Sequence, residues 1–301
     1  MAGKPRYVDA LIGLLAVVAI IGSLCACSRQ DAAGDGRADE SALVLENKGS
    51  DTLVNLALAW AEAYMAARPQ VRISVTGGGS GTGIAAMING TVDIANASRA
   101  MKDVEKEAAR ENGYEPVELT VARDAIAVVV HPDNSVDQLS LQQISDMYTR
   151  KVTNWRDVGG DDRPIVLLSR ESNSGTYVYF LENVIRQGDK QSDLLFSPDT
   201  LLMPSSEGIS TEIRQNVNAI GYDGLGYVTD DQKMVAVATD PDGPFVLPSV
   251  ASVNDGSYPI ARPLYMYTPG EPSGEMAEYL EWVTTEGQSL VSELGFVPLT
   301  P

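Results

Sequence analysis

The sequence predicts an α/β fold with its ligand crevice at the carboxyl ends of the strands. Two observations carry that prediction. Between residues 44 and 99, runs of alternating apolar residues and runs with helical spacing follow one another. Each strand-like run then ends in a short polar or glycine-rich stretch that opens a helix: Gly49-Ser50-Asp51-Thr52, Gly77 to Gly83, and, further on, Ser169 to Thr176.

The first strand is expected over Leu45 to Gly49. Leu53, Leu56, Ala57, Trp60, Ala61 and Tyr64 then make one face of a helix that Pro69 ends, with Ser50, Asp51 and Thr52 as N-cap candidates. Val71, Ile73 and Val75 alternate as a second strand. Gly77, Gly78 and Gly79 follow, without Cβ atoms, so the backbone there can curl against a small ligand. Gly83 to Ile88 reads as a helix, which sets Ser80, Gly81 and Thr82 at its N-terminus, where free N–H groups and the helix dipole favour an anion.

Three other readings of that loop fail or weaken letter by letter. The phosphate loop of NTPases needs a Lys that is absent here. The nucleophile elbow fails at Thr82, which stands where a glycine is required. Gly81 to Ala86 fits a loose dinucleotide pattern, but the compartment implied by the N-terminus argues against it.

A third strand is expected over Thr91 to Ala95, running into Asn96-Ala97-Ser98-Arg99, and a later one over Ile165 to Leu168. After the latter, Arg170 offers a fork of donors, and Ser174, Gly175 and Thr176 open a helix carrying Tyr177, Phe180, Leu181, Val184 and Ile185. Ser140 to Gln143 fits a capping box, and Ser273 is placed as the cap of a helix with Tyr279, Leu280 and Val283. Trp155, Tyr222 and Tyr227 are expected in the core or at a contact between lobes, and the lone His131 is read as structural.

At the N-terminus, Lys4 and Arg6 precede an apolar run from Ala10 to Leu24, too short for a comfortable span but suited to export. Asp9 is an unusual acid there. Leu24-Cys25-Ala26-Cys27 resembles the lipobox of bacterial lipoproteins, which implies a signal peptide over 1–26, lipid attachment at Cys27 and no disulfide in the mature chain. Residues 27–43 read as a flexible tether holding a soluble domain at the outer face of the membrane. The formal charge is −19; without residues 1–26, 20 basic residues face 40 acidic ones, or −20. Nucleic acid is a poor partner for such a surface.

Gly49 to Thr52, Gly77 to Gly83, D-I-A-N-A-S-R over 93–99, S-R-E-S-N-S-G-T over 169–176 and N-A-I-G-Y over 218–222 together resemble the phosphate-binding component of Pst-type ABC importers, in the family's order along nearly the whole mature chain. The resemblance implies a two-lobed periplasmic-binding-protein fold (type II-like) with phosphate clamped between the lobes and two hinge crossings. These crossings are placed in the strands Asp124 to Val130 and Tyr258 to Tyr267. Lobe 1 is then 44–124 plus 256–301, and lobe 2 is 125–255.

Carried over residue by residue, the family's ligand contacts fall on Ser50, Asp51, Thr52, Ser80, Ser98, Arg170, Ser174, Gly175 and Thr176. Better-known longer members carry an Asp where this chain has Ser98 and another where it has Ser172. Asp51 is therefore assigned to accept the phosphate proton, and Glu171 to buttress Arg170.

The implied function is a non-enzymatic, lipid-anchored receptor that binds inorganic phosphate and delivers it to an ABC importer's permease and ATPase, working as a monomer without cofactor or metal. A receptor for another tetrahedral oxyanion such as sulfate, a phosphate-sensing surface lipoprotein without transport, and a hydrolase using Ser80 or Asp51 are the alternatives. The hydrolase lacks any recognisable base or metal cluster.

Overall fold

The computed structural model describes residues 43–299. The export segment, the Cys27 box and the tether lie outside the described residues except for Leu43, the tether's last residue, which opens β1. β1 (Leu43–Gly49), α1 (Asp51–Ala67), β2 (Val71–Thr76), α2 (Ser80–Ile88) and β3 (Ile94–Ala97) follow the expected order. The stripe read from the sequence is the face that α1 buries, with Thr52 added to it. β3 starts later than expected because both the amide and the hydroxyl of Thr91 donate to Ala86 O, at 3.0 Å each, and so close the end of α2.

α3 (Asp103–Glu111) leads into the long β4 (Val117–Val130). β5 (Gln138–Ser140), α4 (Leu141–Tyr148), β6 (Val166–Arg170) and α5 (Gly175–Phe180) come next, α5 running on into a π turn over Leu181–Ile185. β7 (Leu201–Met203), α6 (Ser206–Gln215), β8 (Ala219–Gly224), β9 (Lys233–Ala238), α7 (Val250–Asn254), β10 (Ala261–Thr268), α8 (Gly274–Thr284) and α9 (Gln288–Glu293) complete the chain. The capping box forms at α4: Gln143 N donates to Ser140 Oγ at 3.2 Å, and Ser140 N donates to Gln143 Oε1 at 2.9 Å. Ser273 sits at the N-cap of α8 but makes no side-chain cap bond.

The strands run β2-β1-β3-β10-β4-β8-β6-β7, with β9 also on β4 and β5 on β9. β1 pairs in parallel with β2 and β3, whereas β10 is antiparallel to both β3 and β4. β4 changes partner midway. Its first part, up to Ala125, lies against β10, and Ile126 to Val130 lie against β8.

That change of partner is also a change of core. Val121 and Ala122 pack with Leu45, Leu53, Trp60 and Tyr279, while Ala125 and Ile126 pack with Tyr148, Trp155, Phe180 and Tyr222. β10 does the same in reverse: Ile260, just before it, belongs to the second core and Leu264 to the first. Between the two changes, Asp124 and Arg262 face each other as strand partners. Trp155 and Tyr222 are core residues as expected, Tyr222 stacked on Phe180 with centroids 3.7 Å apart. No helix among the described residues is long and apolar enough to cross a membrane.

Candidate functional site

The starts of α1, α2 and α5 and the ends of β3 and β6 meet at one place. β1 stops at Gly49, and Ser50 N donates to Asn96 O at 2.9 Å, which holds the start of α1 against the end of β3. The Ser50 side chain is buried but makes no cap bond to its own helix.

The glycine loop does something other than the sequence suggests. It wraps Asp51: Gly78 N donates to Asp51 Oδ1 at 2.9 Å, and a Cβ on Gly77 would stand 2.5 Å from the same oxygen. The loop also touches the far segment, since Asn173 Nδ2 donates to Gly78 O at 2.9 Å and Gly81 N to Asn173 O at 3.0 Å. Gly79 has φ +90, and a Cβ there would lie 2.7 Å from Asn173 O. The amides of Gly81, Thr82 and Gly83 all have protein acceptors, so the expected free N–H groups at those positions are taken.

What the site offers instead is buried hydroxyls. Ser80 Oγ accepts from Ser98 N at 3.0 Å and lies 3.2 Å from Ser98 Oγ. Gly175 closes over both, because a Cβ on it would be 2.3 Å from Ser80 Oγ and 2.6 Å from Ser98 Oγ. Thr52 Oγ1 and Thr176 Oγ1 are 3.0 Å apart, joining α1 to α5. Ser174 Oγ caps α5 by accepting from Thr176 N at 3.2 Å and Tyr177 N at 3.5 Å. Each hydroxyl carries one proton and two lone pairs. Within the Ser80–Ser98 and Thr52–Thr176 pairs one proton is used between the partners and the other is left over, and Ser174 as an acceptor keeps its own.

Arg170, the last residue of β6, has its side chain 1% exposed. Nη2 donates to Asp51 Oδ2 at 2.7 Å and to Pro204 O at 3.1 Å, Nη1 to Ser206 Oγ at 3.0 Å. The expectation that Glu171 buttresses Arg170 is therefore corrected: Glu171 is exposed, and Asp51 supplies the carboxylate from a different helix. Asp51 still keeps acceptor capacity, since an ionised carboxylate has about four lone-pair sites and two are engaged here. Tyr227, expected in the core, packs in the first core and donates from its hydroxyl to Asp51 O at 2.6 Å. Ser80's partners are Ser98's amide and hydroxyl, neither of them a base that could activate a nucleophile.

A family model described as a PBP superfamily domain matches residues 32–286. The phosphate-binding protein PstS of Pseudomonas aeruginosa is 37% identical over 273 residues, covering 85% of this chain and 83% of that protein. The chain belongs to the PstS family. The Bacillus subtilis phosphate-binding protein PstS is 32% identical over 254 residues, covering 84% of this chain and 79% of its own length. A putative phosphate ABC transporter substrate-binding protein from Clostridium perfringens, solved with bound phosphate, superposes with TM-score 0.76 at 32% identity over 85% of this chain and all (100%) of that one. An ABC-type phosphate transport receptor from Vibrio cholerae gives 0.67 at 26% identity, covering 84% of this chain and 99% of that one. The fold of this PstS-family chain is thus the two-lobed periplasmic-binding-protein fold.

Sequence reasoning missed two pairings in this PstS-family site. Arg262 and Asp124 form a fully buried ion pair, Nη2 to Oδ2 at 2.9 Å, beside the threonines. A legible signal existed, because each stands as a charge inside an apolar strand, and such charges are seldom buried unpaired. Ser206 and Asp223, which lie around Arg170 on its other side, carried no signal of their own.

Asp223 is buried; Oδ1 accepts from Gly224 N at 2.9 Å, while Oδ2 has no partner among the described residues. Burial pushes this carboxyl up to about 6, against the pull of Arg170. The folded-state value is raised, so the folded chain holds the proton more tightly than the unfolded chain. Stability is therefore lost as pH rises from the ordinary carboxylate range through about 6, by about 3 kcal/mol for this displacement. Asp223→Asn should stabilise the protein at about pH 7.5 by up to that amount, with the gain shrinking towards zero at about pH 3, below the ordinary carboxylate value, where the wild-type carboxyl is mostly protonated in both states. Urea melts at the two pH values measure this. An equal gain at both would mean that ionisation of Asp223 is not the cause.

Proposed function

We propose that the protein is an extracytoplasmic receptor that binds inorganic phosphate between its two lobes and hands it to the permease of an ABC importer. The observation that carries the reading is the set of surplus hydroxyl protons, one from the Thr52–Thr176 pair, one from the Ser80–Ser98 pair and one on Ser174, all buried, with Arg170 bonded to Asp51 one residue before Thr52. A desolvated oxyanion needs several donors, and hydroxyls fixed at helix starts supply them without reorganising. Ser50, Asp51 and Gly175 complete the ligand set, Gly175 by letting α5 come close enough for its neighbours to converge. The names carried by the relatives support phosphate as the ligand.

The lobes are proposed to divide where the cores do. On that division the outward crossing is at Asp124 and the return between Ile260 and Leu264, where the strands pass from one core to the other. Arg170 reaching Asp51 then spans the cleft, and closure is the state the permease would read. The net charge of −19 does not oppose anion capture, because contacts inside the cleft act at short range while surface charges are screened within about 10 Å. Attachment through lipid at Cys27, with residues 27–43 as tether, would keep the receptor at the outer face of the membrane.

Calorimetric titration of the mature domain with phosphate, arsenate and sulfate tests the reading, with Asp51→Asn as its sharpest variant. The wild type should bind phosphate and discriminate against sulfate, which has no proton for Asp51 to accept. Asp51→Asn should bind phosphate at least tenfold more weakly, a loss of about 1.4 kcal/mol or more, and show a smaller phosphate-to-sulfate ratio. An unaltered ratio would remove Asp51 from the ligand set, and preferential sulfate binding by the wild type would favour the other oxyanion reading.

For the anchor, Cys27→Ala should leave uncleaved precursor or release the protein into the soluble fraction. A variant that fractionates with membranes and keeps the same mature terminus would contradict lipid attachment.

A further inference from the structure

We propose that Arg262 positions the anion site's donors and thereby sets the charge state of the anion it accepts, a reading that rests on phosphate being the ligand. Arg262 is fully buried, with its Cζ 5.7 Å from the Tyr179 ring centroid. Its fork is spread over both lobes' contributions to the site. Nη2 donates to Thr176 Oγ1 at 3.0 Å and Thr52 Oγ1 at 3.3 Å, and Nη1 to Ser98 O at 3.0 Å. Nε and Nη2 also hold Asp124 Oδ2, at 3.2 and 2.9 Å.

Hydroxyl arithmetic gives the consequence. Arginine has donors only. Nη2 has two protons for three acceptors: with one on Asp124 Oδ2, the other is shared by Thr176 Oγ1 and Thr52 Oγ1 and occupies a lone pair on each, and the Thr52–Thr176 bond occupies a third together with one hydroxyl proton. The pair is left with one proton to give and a single lone pair, so it is biased from acceptor towards donor. Phosphate with one proton has an acceptor for it at Asp51. The one lone pair left on the threonines lies beside a fixed cation and is a poor acceptor, so a second ligand proton is disfavoured there. Arg262 therefore makes the site favour the dianion over the monoanion.

The charged and titratable groups around this arrangement are Asp124 on β4, Asp51 on α1, Arg170 on β6, Asp223 on β8 and Tyr179 on α5. On its outer side Arg262 lines a pocket of 220 Å³ with Arg99, Lys102 and Glu182. Arg99 is itself tied to Glu105 by a bidentate pair at 2.6 and 2.7 Å. All of these are common to the wild type and the variants below, so a change in pH dependence between them reports on Arg262 and the threonines.

The test is calorimetric titration with inorganic phosphate at a pH below and a pH above its second ionisation, for the wild type, Arg262→Lys and Thr176→Val, with thermal melts of each. Lys keeps a cation on Asp124 but cannot fork to both threonines and Ser98 O. Thr176→Val leaves the ion pair untouched, so it serves even if Arg262→Lys fails to fold. The wild type should bind more tightly at the higher pH. Both folded variants should lose at least tenfold in affinity at the higher pH and show a weaker preference between the two. Variants that keep the wild-type preference between the two pH values, even if they bind more weakly because Thr176 is itself a ligand, would overturn the role of Arg262. A wild type that binds no phosphate would instead overturn the receptor reading.

Discussion

A single buried ion pair stands where the chain passes between its two cores. Asp124 on β4 and Arg262 on β10 face each other within the residues where both strands change the core they serve. Taking both charges out of water is costly, and their attraction offsets that cost only when the remaining polar atoms are also satisfied. Here they are: Asp124 Oδ1 accepts from Leu225 N at 3.2 Å, and Arg262 spends its other donors on Ser98 O and two threonine hydroxyls. Burial pushes the Asp124 carboxyl up, and Arg262 opposes the rise. Removing one partner would strand the other, which ties the geometry of the crossing strands to the geometry of the hydroxyls.

A second pair, Arg170 with Asp51, joins the end of β6 to the start of α1 and is built differently. Arg170 is held on one side by Ser206 and two backbone carbonyls, and on the other by a carboxylate that the glycine loop cradles. Charge is thus balanced locally twice over, and the hydroxyls between are left as neutral donors. Neutral donors at fixed positions can take an anion without adding free cations to a strongly acidic protein.

Much of this was legible in the sequence. The helix stripe of α1, the capping box at Ser140, the placement of α2 after its glycines, and the convergence of Thr52, Ser80, Ser98, Arg170 and Thr176 all follow from spacing together with the resemblance of five short motifs. What was not legible were the long-range pairings. Gly77 to Gly79 were read as making room for a ligand, whereas they make room for Asp51 and Asn173. Adjacency in sequence does not make Glu171 a partner of Arg170, because Glu171, just past the end of β6, is exposed while Arg170 is buried. Arg262 lies within the strand Tyr258 to Tyr267, and nothing local places it beside residues 52 and 176.

In the proposed receptor, phosphate exchanges the water of its hydration shell for these hydroxyls while the two arginine pairs stay in place. A crystal structure of the mature domain grown with inorganic phosphate should then show a tetrahedral anion with oxygens within about 3 Å of the hydroxyls of Thr52, Ser80, Ser98 and Thr176, and Arg262 still bonded to Asp124. Phosphate bound elsewhere, or density in the crevice that contacts none of these hydroxyls, would contradict it.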